Sequence, residues 1–168
     1  MRIRRAVLED ALRVARVHVR AWQAAYKALL PTEYLAGLRT EDRAPRYDFA
    51  TADVTKPQTL VAVEGDAIVG FATTSPSRDG DLGYFGELGA LYVDPERWGC
   101  GVGRELMSAA RAQLAERGFK DALLWVLVGN ARAERFYRTD GWRADGMRRM
   151  QTVWGVTVDE VRWVRPLG

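Results

Sequence analysis

The residues best placed to do chemistry in this chain are Gly99-Cys100-Gly101-Val102-Gly103-Arg104, preceded by Trp98 and by the run Glu87-Leu88-Gly89-Ala90-Leu91-Tyr92-Val93. Glycines at alternate positions remove side chains where backbone amides must approach a ligand. A helix opening at the third glycine adds unpaired N–H groups and the positive end of a dipole. Such a loop binds an anion, and a pyrophosphate is its natural guest. Read as structure alone, the glycines make a tight turn from strand to helix. Cys100 stands in the loop without an evident histidine partner, so it reads as an oxidisable bystander.

Three phosphate-binding loops compete for this segment. A nucleotidase loop ends in Gly-Lys-Ser/Thr, whereas this one ends in Gly103-Arg104-Glu105 and does not fit. A dinucleotide fingerprint needs its third glycine where Arg104 stands, and it normally opens a series of βαβ units; here one such unit sits late in the chain, so it fits less well. The third is an acyl-CoA loop. From Arg2 to about Leu167 the chain resembles the GNAT superfamily of N-acetyltransferases. The resemblance is carried by Leu91-Tyr92-Val93, by Pro95 with Gly99–Arg104, and by the downstream Asn130 … Phe136-Tyr137 … Gly141-Trp142. Trp98 departs from the Gln or Arg usual at that position, which removes one side-chain contact and leaves the backbone amides.

The resemblance implies acetyl-CoA as co-substrate and no metal. It places the pyrophosphate on Gly99, Cys100, Gly101, Val102, Gly103 and Arg104, and the pantetheine arm along Leu91, Tyr92 and Val93. The backbone of that strand would polarise the thioester carbonyl as an oxyanion hole does. By the same resemblance Asn130 hydrogen-bonds pantetheine, while on its own chemistry it caps a helix; the two roles are compatible. Tyr137, seven residues on, is the implied acid for the departing thiolate. Glu87, near the start of the same strand, is the carboxylate best placed to take the amine's proton, with a solvent-facing strand residue as the plain alternative. Strand alternation puts Glu87, Gly89, Leu91 and Val93 on one side unless a bulge intervenes.

These residues need a framework. Arg2–Ala6 reads as a strand, and Ala11, Leu12, Ala15, Val19, Trp22 and Tyr26 then recur at helical spacing until Pro31 stops the helix. Short helices are expected at Tyr34–Leu38 and around Glu41–Phe49. Thr59–Val63 and Ala67–Thr73, joined by Glu64-Gly65-Asp66, predict a hairpin. A polar loop, Ser75–Gly83, leads to a strand Tyr84–Val93 and a helix Gly103–Arg117, which Gly118 ends. Asp121–Val128 is the most apolar strand and belongs inside the sheet. A helix Ala131–Arg138 and two strands, Trp142–Trp154 and Val158–Val164, complete the order. The expectation is one domain, residues 1–168, of α/β (α+β) class: a mixed, mostly antiparallel, splayed sheet of about seven strands flanked by helices.

His18, the one histidine, lies between Arg16 and Arg20 and reads as surface or half-buried rather than as a base. Trp22 reads as core, and Tyr26 as core or pocket. The net charge of +3 comes from arginines interspersed with acids, as on solvated helix faces, which argues against nucleic acid as a partner. A lone cysteine and no leader-like start fit a reducing cytoplasm, and no apolar run is long enough to cross a bilayer. The expected partner is a small-molecule or peptide amine acceptor, with homodimerisation left open. A non-catalytic acyl-CoA-binding module is the rival, and it predicts tight binding without transfer.

Overall fold

In the β2 and β3 hairpin (Gln58–Glu64 and Ala67–Pro76) neighbouring apolar residues point to opposite faces, and both faces are buried: Val61 and Phe71 on one, Ala62 and Ala72 on the other. A strand apolar on both faces needs cover on both. In the computed structural model, which describes all residues Met1–Gly168, α1 (Ala11–Ala25) supplies one cover and α4 (Val102–Glu116) the other. Leu106, Ala110 and Leu114 recur every four residues along α4 with Met107 beside them, and all four are essentially fully buried. Burial of each of the larger three contributes roughly 1.5–3 kcal/mol before entropy is subtracted. On α1 the buried arc takes in Val14, Val17, His18 and Ala21, and Leu12, expected inside, is exposed.

The seven strands run in the order β1-β2-β3-β4-β5-β7-β6, with β1 Arg2–Arg5, β4 Gly86–Val93, β5 Asp121–Leu127, β6 Arg143–Val153 and β7 Val156–Pro166. All neighbours pair antiparallel except β4 and β5. The apolar β5 lies inside the sheet, as its composition requires. Helix α5 (Ala131–Thr139) follows it, and two short helices, α2 (Thr32–Ala36) and α3 (Thr40–Arg43), follow α1. The helix expected over Glu41–Phe49 is a single turn of α3 and a 3-10 turn at Ala44–Arg46. Pro45 lacks the N–H that would continue the ladder. Strand β4 starts at Gly86 rather than Tyr84, because Phe85 is held back in a turn by its N–H to Leu82 and its carbonyl to Ser77. No helix is long and apolar enough to cross a membrane.

Candidate active site

The parallel pairing of β4 with β5 is confined to Gly86↔Ala122 and Glu87↔Leu123. Beyond Glu87 the two strands separate, so Leu88–Val93 faces a gap on its β5 side. A cleft of about 600 Å³ occupies that gap. Its lining brings together Leu91, Tyr92, Val93, Gly99, Gly101, Val102, Gly103, Arg104, Asn130 and Tyr137, all named from the sequence. Cys100, exposed, and Glu87 are outside the lining.

The glycine loop is built as its sequence requires. Gly101 stands before the first residue of α4 with φ +88°, a left-handed conformation costly to any residue with a Cβ. This turn aims the first amides of α4 outward. The N–H groups of Val102, Gly103 and Arg104 find no carbonyl or side-chain acceptor in the chain. Gly103 packs against α5: a Cβ there would lie 3.4 Å from the Phe136 ring. Arg104 makes no ion pair and its Nη2 lies 3.8 Å from where a Gly101 Cβ would stand, so it shares the loop's free anion-binding surface. Free amides, an unpaired guanidinium and the dipole end fit a diphosphate.

On β4 the Asp94 N–H donates to Val69 of β3, whereas the Val93 carbonyl accepts the Trp98 indole N–H at 2.9 Å. Since backbone groups alternate sides along a strand, Leu91 turns its N–H and C=O to the gap and Tyr92 turns its own to β3. The Tyr92 ring lies on the α1 face, its hydroxyl 3.3 Å from that of Tyr26, and both line the cleft. Trp22, expected in the core, is buried beside them, 5.1 Å from the Tyr26 ring.

Asn130 caps α5, its Oδ1 accepting the Ala133 N–H at 3.2 Å, and its Nδ2 has no protein partner. Tyr137 sits nearly two turns along and packs by its ring against Phe136 and Trp142. Its hydroxyl makes no hydrogen bond to the protein. Burial, and then the neighbouring Tyr92, raise the phenol above the ordinary tyrosine value.

A bulge changes the expected parity of Glu87. Thr73 pairs with Ala90 but Thr74 with Leu88, so Gly89 is the extra residue and side chains swap faces across it. Glu87 therefore shares the face of Ala90 and Tyr92, opposite Leu91 and Val93. It is 2% exposed and accepts from the Arg78 N–H at 3.2 Å and the Arg78 guanidinium at 3.0 Å. It stands at the last paired rung, where the sheet opens.

His18, expected at the surface, is buried among aromatic rings, 4.9 Å from Tyr92 and from Trp154, with Nδ1 2.9 Å from the Tyr47 hydroxyl. Burial, and then Arg43, lower it well below the ordinary value, so the imidazole is neutral. Sequence reasoning passed over Trp125 and Arg132, which line the cleft. Trp125 is tied to Asp79 by its indole N–H at 3.1 Å, a pairing across 46 residues that nothing local announces. Arg132 left one signal: a cation in the first turn of a helix opposes the dipole there.

Comparison with known proteins agrees with this geometry. The model of a family described as "Acetyltransferase (GNAT) family" matches residues 22–142. The chain is 32% identical over 128 residues to YuaI, an uncharacterised N-acetyltransferase of Bacillus subtilis, covering 76% of this chain and 72% of that protein. Its fold is similar to PaiA N-acetyltransferase from Thermoplasma acidophilum in complex with coenzyme A, with TM-score 0.77, 18% identity and 98% of each chain covered. It is also similar to YncA from Salmonella typhimurium solved with its cofactor acetyl-CoA, with TM-score 0.72, 20% identity, and 100% and 94% of the two chains covered.

Proposed function

The chain belongs to the GNAT acetyltransferase family, and from that membership we propose that it transfers an acetyl group from acetyl-CoA to a primary amine by direct attack. The observation that carries this reading is the opening of the sheet after Glu87, with the free loop amides and Tyr137 lining the same cleft. Acetyl-CoA supplies the activated acetyl group as a thioester. The amides of Val102, Gly103 and Arg104 and the Arg104 guanidinium hold its diphosphate, and the open backbone of Leu91 with Asn130 Nδ2 holds its extended arm. A Leu91 amide aimed at the thioester carbonyl stabilises charge that develops on its oxygen.

The amine must lose a proton to become a nucleophile, and Glu87, buried at the apex of the split behind the cleft lining, accepts it through water. The C–N bond forms as the C–S bond breaks, and the Tyr137 phenol gives its proton to the departing thiolate. Neither step needs a covalent acyl-enzyme, in keeping with Cys100 lying outside the cleft lining.

The test is release of free thiol from acetyl-CoA over a panel of diamines, amino acids, peptide N-termini and lysine side chains. Turnover with at least one class is expected. Tyr137→Phe and Glu87→Gln should each lower kcat about 10²-fold, as loss of a general acid or base does. Tight coenzyme binding with no transfer to any amine would replace the enzyme with a binding module. Undiminished turnover in Tyr137→Phe would remove the phenol from the reaction.

A further inference from the structure

Trp98 and Arg132 line the cleft and have no part in the transfer chemistry. The Trp98 indole is pinned against the open side of β4 by its N–H to the Val93 carbonyl. Over its face lies the Arg132 guanidinium, with Cζ 3.6 Å from the ring centroid. Such a stack holds the planar cation over the ring face. Arg132 nevertheless forms no ion pair, and none of its N–H donors has an acceptor in the protein. Its charge is opposed by partial burial and then by Arg135, and it stands in the first turn of α5, where the helix dipole also disfavours a cation. An ordered, unneutralised cation on the wall of a cleft is matched to an anion that arrives with the ligand.

Arg104 divides the space with it. Arg104 covers the glycine loop itself, next to Gly101, where free amides take a diphosphate. Arg132 is held one step upstream, on the residue before the loop. A second, separate phosphate on the same ligand is the group left for it. Resting on the reading of the cleft as a coenzyme A site, we propose that Trp98 and Arg132 read the ribose 3′-phosphate of the coenzyme. Arg132 is the contacting residue and Trp98 the positioning one, and together they make the protein select CoA over 3′-dephospho-CoA.

Calorimetric titration with CoA and with 3′-dephospho-CoA tests this without reference to turnover. The unaltered protein should bind CoA about 10-fold more tightly, the ratio of one charge-assisted contact. Arg132→Gln should bring the ratio to within about 2-fold by weakening CoA alone. Trp98→Leu should lower the ratio too, and Trp98→Phe, which keeps a ring under the guanidinium, should restore most of it. Thermal unfolding of each variant verifies that it is folded, and Arg132 is an exposed helical residue. Equal weakening of both ligands by Arg132→Gln would make it a diphosphate contact and overturn the proposal, as would an unchanged ratio. Tight binding of both ligands without discrimination would overturn this inference alone. Failure of both ligands to bind would remove the coenzyme site along with it.

Discussion

At the scale of single residues, the Tyr137 phenol shows how environment sets a role. Tyr137 lines the cleft, and burial with Tyr92 nearby favours the neutral form by raising the phenol above 10.0. The proton is then present throughout the range in which an amine substrate becomes unprotonated. The plot of kcat against pH should show no falling limb from this group up to pH 10. A limb below that value that disappears in Tyr137→Phe would mean that the phenol ionises as an ordinary exposed tyrosine does. That Tyr137 and Asn130 share one cleft was legible in the sequence because it depends on spacing along one helix, whereas the roles proposed for them rest on the family resemblance. Glu87 was legible as a carboxylate and illegible in direction, since the bulge that turns it is made by Gly89 against Thr73 and Thr74, residues of another strand. Arg132 drew no notice because its partner, Trp98, is distant in sequence and meets it only across the cleft.

At the scale of elements, the loop and first turn of α4 act as one device, and Gly101 is its hinge. At φ +88° an alanine carries a strain of roughly 1–2 kcal/mol. The chain relieves it by rotating the amides of Val102 and Gly103 away from the cleft. Gly101→Ala should therefore weaken CoA about 10-fold in a binding titration while lowering stability by only about 1–2 kcal/mol in a denaturant melt. Loss of stability with unchanged affinity would show that the amides do not hold the ligand. This element was readable because its glycines and the amphipathic stripe of α4 are local features. Element ends were less so: α3 stops where Pro45 intervenes, and β4 starts late because a turn closed by Phe85 precedes it. The splay after Glu87 was expected only by resemblance.

At the scale of the molecule, long-range polar contacts join parts that local patterns describe separately. Arg162 of β7, with its side chain 4% exposed, binds Asp79 and Asp81 in the loop before β4 and Asp145 in β6. In sequence these charges look like a mixed solvated surface, and only the fold assembles them. The His18 cage is another such junction. It draws its imidazole from α1, Phe71 from β3, Tyr92 from β4, Tyr47 from the segment after α3 and Trp154 from the β6–β7 turn. Because burial holds this histidine well below 6.5, the unfolded chain binds a proton that the native one excludes. Stability is therefore full above 6.5 and falls as pH drops below it, at up to about 1.4 kcal/mol per pH unit, until the native value is reached. Asp10, held low chiefly by Arg4, adds loss of the same sign only below its ordinary value of 3.8. The two windows are separate, so urea midpoints measured from pH 7 to pH 4.5 isolate the histidine. His18→Gln should be less stable at pH 7 through lost ring packing, yet its stability should hardly change across that range while the unaltered protein loses ground. Parallel slopes in the two proteins would place the acid sensitivity elsewhere and leave the cage as packing alone.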